Sequence, residues 1–231
     1  MKAMILAAGR GERMRPLTDK TPKPLLQAGG KSLIVWHLER LAKAGFHEVV
    51  INHAHLGEQI ETSLGDGSRY GLSIRYSAEP EEALETAGGI AQALLLLGSS
   101  PFLVINGDIF CDWDVKQAIP IGARLKEDLA HLVLVPNPQH HPRGDFALQA
   151  GRCRPAPASV GETLLTFSGI GVYSPDLFDS IARGQRAKLA PLLIEAMSAD
   201  RVAGTLHHGN WTDVGTPERL VALDVELSGL R

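Results

Sequence analysis

The sequence predicts an α/β protein in which a mostly parallel central sheet is flanked by helices. Three observations carry this. Short apolar runs at residues 1–8, 48–52, 72–76 and 102–105 have the length of buried strands. Helical patterns at residues 32–44, 56–64 and 86–97 separate them. Strands that alternate with helices are returned in parallel and are covered on both faces.

Each element has its own signal. Residues 1–8, MKAMILAA, are an apolar run that stops at Gly9. In residues 32–44, Leu33, Trp36, Leu38, Leu41 and Ala44 recur at helical spacing, and Gly45 ends the pattern. EVVIN at 48–52 is a second strand, a short helix at 56–64 is closed by Gly65, and LSIRY at 72–76 is a third strand. A helix over 86–97 opens on Gly88 and Gly89, and the strand at 102–105 runs into Asn106-Gly107-Asp108. Beyond it a strand is expected at 130–135 and a loop rich in Pro, His and Arg at 136–154. A strand pattern at 163–173 is interrupted by Gly169 and Gly171. A helix at 189–199, a strand at 202–206 and a closing helix at 216–227 complete the order. No repeat, low-complexity tract or linker divides the 231 residues, so one domain is expected.

Composition excludes several classes of function. With 44% hydrophobic and 21% charged residues the chain reads as a soluble globular protein. A net charge of −3, with both signs interspersed, lacks the basic surplus of a nucleic-acid binder. The apolar runs at 1–8 and 93–97 are far below the ~20 residues of a membrane span. Two cysteines, Cys111 and Cys153, cannot form a disulfide framework, so a reducing, cytoplasmic setting is expected. The spacing of His53, His55, His140, His141, His207 and His208 with these cysteines matches no zinc pattern.

Residues 9–18, GRGERMRPLT, followed by Lys23-Pro24, form the strongest local signal. Glycines after a buried strand let backbone N–H groups approach a phosphate, and Arg10, Arg13, Arg15 and Lys23 add positive charge there. The segment is not a Walker A loop, and Met14 stands where a dinucleotide fingerprint needs its third glycine. A plain glycine turn would not require Lys23-Pro24. Asp108 closes a buried strand at the end where α/β sheets bind ligands. Alone it could be a cap. Beside a phosphate loop it suits Mg²⁺, which prefers oxygen ligands from one or two carboxylates plus substrate phosphates. Asp213, in WTDVGTP at 211–217, is the candidate for the second carboxylate.

Taken together these segments resemble the sugar-1-phosphate nucleotidyltransferases, whose signature reads G-x-G-[ST]-R-[LM]-x-P-L-T with a following K-P. Glu12 stands where that family often has Ser or Thr. The likeness runs along nearly the whole chain. It implies a Rossmann-like nucleotidyltransferase fold, with a nucleotide-binding part over about residues 1–115 and a sugar-phosphate-binding part over about 116–231. Arg13 and Lys23 would hold the triphosphate, Ala8, Gly9, Gly11, Glu12 and Asn106 would line the nucleotide, and Gly88 would touch the base. Asp108 and Asp213 would hold Mg²⁺. On the sugar side it points to Asp145, Glu162, Gly169 and Lys188, with Arg143 beside Asp145. The E-K-P motif of many relatives is missing.

Among compact members the chain is most similar to those that use UTP and N-acetylmuramate α-1-phosphate in bacterial cell-wall recycling. Residues 50–54, 140–146, 165–169 and 188–193 carry that likeness. The expected partners are therefore UTP and a sugar 1-phosphate, with a monomer or weak dimer as the assembly. A mannose- or glucose-1-phosphate nucleotidyltransferase is the nearest rival. A non-catalytic nucleotide-sugar sensor would be expected to lose Arg13, Lys23, Asp108 or Asp213, and all four are present.

Overall fold

The computed structural model describes residues 1–156 and 163–229. The first half contains β1 (Ala3–Leu6), β2 (Gln27–Ala28), β3 (Lys31–Ser32), α1 (Leu33–Lys43), β4 (Glu48–His53), α2 (Gly57–Leu64), β5 (Ser73–Ala78), α3 (Glu85–Leu97) and β6 (Phe102–Asn106). The second half contains β7 (Ile109–Cys111), α4 (Ala118–Arg124), β8 (Ala130–Val135), β9 (Ala147–Gln149), β10 (Arg152–Arg154), β11 (Thr166–Tyr173), α5 (Leu189–Ser198), β12 (Val202–Leu206), β13 (Trp211–Asp213) and α6 (Pro217–Gly229).

Nine strands form one sheet in the order β5-β4-β1-β6-β11-β8-β12-β10-β9. The pairings among β5, β4, β1 and β6 are parallel, as is that of β8 with β12, while β11 and β10 run against the rest. Strand alternation sorts the side chains into two layers. Ala3, Ile5, Leu103 and Ile105 face α1, α2 and α4, meeting Ile34, Leu38, Ile60 and Ala118. Met4, Phe102 and Val104 face the other way, against Ile90, Leu97, Leu193 and Met197 of α3 and α5. A third cluster joins α6 to the segment after β1 through Met14, Leu26, Leu33, Leu220, Leu223 and Leu227.

Two features of this frame place the loops that line the cleft. β1, β4 and β6 end in register, with Leu6 opposite both Asn52 and Asn106. Their loops therefore leave from one edge of the sheet. The second feature is a small antiparallel pair outside the main sheet, β7 with β13, which sets Asp213 opposite Ile109. It is anchored to a bulge in β11. The two glycines expected to interrupt that strand do not end it. The strand runs through, and its register against β8 shifts between Phe167 and Ile170. At the bulge Gly169 has φ +82, a conformation that a side chain disfavours, and a Cβ there would lie 2.7 Å from Asn106 Nδ2. Ser168 donates its hydroxyl to Val133 O at 2.7 Å, and Trp211 Nε1 donates to Ser168 O at 2.8 Å.

His37 on α1 is buried behind β7, and among the described residues its Nε2 has no hydrogen-bond partner. Burial first, and then the Arg40 guanidinium, push its pKa from 6.5 down to about 4. The unfolded chain thus takes up a proton near pH 6.5 that the folded chain refuses until about pH 4. Folding loses stability as pH falls through that window, by roughly 3 kcal/mol in all. Urea denaturation at a series of pH values should show this slope in the wild type, and it should be shallower in His37→Leu, where the half-buried His131 still contributes in the same direction. A slope unchanged by the substitution would assign the loss to other groups.

Candidate active site

The edge where β1, β4 and β6 end opens on a cleft of about 670 Å³. Its lining includes Ala8, Gly9, Arg10, Gly11, Glu12, Arg13, Lys23, Asn106 and Asp108. The glycine-rich loop turns sharply because Gly11 has φ +65, and a Cβ there would press on Thr18 at 2.9 Å. The turn is held by Met14 N donating to Gly11 O at 2.8 Å and by the Thr18 hydroxyl donating to the same oxygen at 2.8 Å. Met14 is fully buried, so α6 supports the loop from beneath, while Arg10 and Arg13 stay exposed.

At the base of the cleft Asn52 is buried at the end of β4. Its Oδ1 accepts from Ala7 N at 2.9 Å, and its Nδ2 donates to Glu79 Oε1 at 2.6 Å. The other oxygen of Glu79 accepts from Leu84 N at 2.8 Å. This chain of bonds ties the loop after β1 to the lip of the cleft, where Ala83 and Glu85 have φ +54 and +61. Backbone in this region is uncommon for residues with a side chain and is held by its surroundings.

The two carboxylates singled out from the sequence are brought together by the β7–β13 pair. Val214 N donates to Asp108 O at 2.7 Å and Asp213 stands opposite Ile109, so each aspartate is held beside the residue that follows the other. Each carboxylate already faces a cation. Lys23 Nζ, on a buried side chain, lies 2.6 Å from Asp108 Oδ2. Asp213 Oδ1 accepts from Arg219 Nη1 at 2.5 Å and lies 2.6 Å from His140 Nε2. Asp108 lines the cleft, and Asp213 is held next to it on the paired strand; two such carboxylates are an oxygen donor set suited to a hard divalent ion.

The remaining candidates are placed less uniformly. Asp145 accepts from Phe167 N at 2.8 Å through one oxygen and meets His141 Nε2 at 3.1 Å through the other, so it pins its loop to β11. Gly169 sits in the bulge beside Asn106. Arg143 is exposed on the same loop. Lys188 lies in a side recess with Glu85, Arg186 and Ala187 that adjoins the main cleft. The N–H groups of Ala87 and Gly88 both point to Ala187 O, at 3.0 and 3.1 Å. That leaves the Gly88 amide engaged with the protein, behind the cleft wall. Glu162 falls outside the described residues.

Sequence reasoning missed Asn52, Glu79, His140, Arg186 and Arg219. Asn52 could have been found, because a polar residue ends an otherwise apolar strand. Arg219 and His140 carry no comparable signal, since their partner is 6 and 73 residues away. The fold also gathers Cys111, Asp112 and His207 at the far end of the β7–β13 pair, which the residue spacing did not suggest. There His207 Nε2 meets Asp112 Oδ1 at 2.6 Å, and burial pushes the Cys111 thiol up to about 11. Among the described residues no helix is long and apolar enough to cross a membrane.

Comparison with known proteins is consistent with this geometry. Residues 2–145 match the family model described as nucleotidyl transferase. The chain is 60% identical over 221 residues to an N-acetylmuramate alpha-1-phosphate uridylyltransferase of Neisseria meningitidis serogroup B, covering 95% of each chain. It is 34% identical to the protein of the same name from Caulobacter vibrioides, covering 98% of this chain and 96% of that one. In fold it resembles a Bacillus anthracis protein crystallised with sucrose, with a TM-score of 0.85 at 21% identity over 100% of this chain and 96% of that one.

The Asn52 clamp gives a direct test of how the cleft is held. Asn52→Ala leaves Ala7 N–H without its acceptor and Glu79 Oε1 without its donor. A buried group left unsatisfied costs about 1–3 kcal/mol, which equilibrium denaturation will read. A change below about 0.5 kcal/mol, the usual range for surface positions, would mean that the clamp contributes nothing to the fold.

Proposed function

This chain belongs to the nucleotidyl transferase family, as a sugar-1-phosphate nucleotidyltransferase, and on that premise we propose that it transfers UMP from UTP to N-acetylmuramate α-1-phosphate. The products are UDP-N-acetylmuramate and pyrophosphate. The observation that supports this substrate pair is 60% identity along 95% of both chains to a relative bearing that activity in its name. Such a reaction serves the salvage of a cell-wall sugar and belongs in the cytoplasm, where UTP is made.

The chemistry follows from the cleft. An oxygen of the sugar 1-phosphate attacks the α-phosphorus of UTP, the bond to the bridging oxygen of the β-phosphate breaks, and pyrophosphate departs. The attacking oxygen is ionised at neutral pH, so no side chain has to remove a proton. What remains for the protein is alignment and neutralisation of charge. The glycine-rich loop presents backbone N–H groups and Arg13 to the triphosphate. Lys23, held on Asp108 in this structure, lies within reach of phosphate oxygens entering the cleft. Asp108 and Asp213 would hold Mg²⁺, which supplies Lewis-acid stabilisation of charge on the α-phosphate when bound. Asp145 and Gly169 would face the sugar, and Arg186 and Lys188 of the side recess would add positive charge beside it.

Three measurements test this reading. A pyrophosphate-release panel of nucleoside triphosphates against sugar 1-phosphates should give its highest kcat/KM with UTP and N-acetylmuramate α-1-phosphate. Faster turnover of mannose 1-phosphate with GTP would overturn the substrate and leave the reaction class. Asp108→Asn and Asp213→Asn should each remain folded and lose at least ~100-fold in kcat, equivalent to about 2.7 kcal/mol. Wild-type turnover in both would remove them from metal binding. Light scattering should find a monomer or weak dimer, and a stable tetramer at micromolar concentration would contradict this.

A further inference from the structure

Arg219 stands at the third position of α6, and its Nη1 is shared between Asp213 Oδ1 at 2.5 Å and His140 Nε2 at 2.7 Å. The side chain is 19% exposed. Its guanidinium lies directly against the backbone of Gly215, where a Cβ would stand 2.2 Å from Nη2. Gly215 is itself part of the cleft wall. The guanidinium therefore lies against a residue of the cleft wall, in the space that a side chain at position 215 would fill.

The arrangement repeats that of Lys23 on Asp108. Each carboxylate assigned to the metal carries one protein cation, and in each case the cation sits beside the cleft. A carboxylate oxygen that accepts from a guanidinium at 2.5 Å cannot also give its full charge to a divalent ion. When Asp213 turns to the ion, Arg219 is left with its positive charge in a poorly hydrated place. An anion arriving across Gly215 would then offset it. The nucleotide side of the cleft already has Arg10, Arg13 and Lys23 for the triphosphate. Arg219 approaches from the Asp213 side, with His140 of the loop that also carries Asp145. A guanidinium fork is also the side chain best shaped to grip a phosphate by two parallel bonds.

We propose that Arg219 binds the phosphate of the sugar 1-phosphate, exchanging Asp213 for it when a divalent cation takes that carboxylate. This rests on the reading of the cleft as a sugar-1-phosphate site. It makes Arg219 a substrate-binding residue supplied by the closing helix.

Isothermal titration of a sugar 1-phosphate into enzyme loaded with Mg²⁺ and α,β-methylene-UTP tests it, with Mn²⁺ binding to the free enzyme followed by electron paramagnetic resonance. Arg219→Ala should weaken the sugar 1-phosphate about 10- to 100-fold, the range of a lost charge-assisted bond. The loss should be equal for N-acetylmuramate α-1-phosphate and N-acetylglucosamine 1-phosphate, because the shared phosphate is what is gripped. Arg219→Lys should recover part of it. Affinity for α,β-methylene-UTP should stay unchanged, and Mn²⁺ should bind as well as before or more tightly, since its competitor has gone. Loss of Mn²⁺ binding would show instead that Arg219 only orients Asp213. Unchanged sugar 1-phosphate affinity would remove it from the site, and a loss confined to N-acetylmuramate α-1-phosphate would assign it to the lactyl carboxylate. Wild-type protein that releases no pyrophosphate with N-acetylmuramate α-1-phosphate overturns the substrate alone, because the Arg219 comparison runs with any sugar 1-phosphate that the wild type binds.

Discussion

Three residues of β7 paired against three of β13 hold the rest of the site in place. This pair lies outside the main sheet and carries the aspartates at one end. It is fixed to the rest of the fold by Ile109 and Cys111, buried in the layer beneath α1, and by hydrogen bonds. Trp211 donates to the bulge of β11, Val214 N closes on Asp108 O, and Arg40 donates to the carbonyls of Cys111 and Trp113. The bulge in turn exists because Gly169 can adopt φ +82 beside Asn106. A local backbone conformation in the second half of the chain thus sets the distance between two acidic groups that are far apart in sequence.

The cleft's electrostatics derive from the same frame. Its acidic groups are not left bare. Lys23 and Arg219 come from opposite ends of the chain, and each is packed closely enough that its charge is directed and poorly screened. The exposed arginines of the glycine-rich loop differ, since water shields them until a ligand displaces it. Arg10 meets Glu81 and Arg15 meets Asp19, both as exposed pairs that a phosphate can outcompete more readily than the packed ones. The strained lip at Ala83 and Glu85 is tied back by Asn52 and Glu79 and by the buried side chain of Leu84 between them.

Much of the fold was legible because its signals are local. The run at 130–135 and the strand at 202–206 stand where their alternation and length place them, and the helix ends follow Gly45 and Gly65. The parallel half of the sheet followed from strand–helix alternation. What escaped was set by contacts at long range. β7 and β13 are too short to show a period, α4 carries a proline and a glycine inside its seven residues, and β11 looked broken because a bulge and an interruption have the same sequence signature. In the site, the glycine-rich loop, Lys23 and Asp108 could be read from motifs at strand ends. Arg219 and His140 could not, because nothing in a single sequence says which cation will face which carboxylate.

The third hydrophobic cluster bears on how the protein is made. Met14, Leu26 and Leu33 belong to the first part of the chain to leave a ribosome, yet their cover comes from Leu220, Leu223 and Leu227, and Gly29 N is held by Asp224 Oδ1 at 2.7 Å. During synthesis the parallel half of the sheet can form while the loop that would grip a triphosphate still lacks its support. A nascent chain stalled before α6 would therefore carry an unsupported loop and an uncovered apolar patch. Such a patch is what chaperones and quality-control proteases recognise. Packing a late helix beneath an early loop thereby makes the support of that loop one of the last parts of the fold to be supplied.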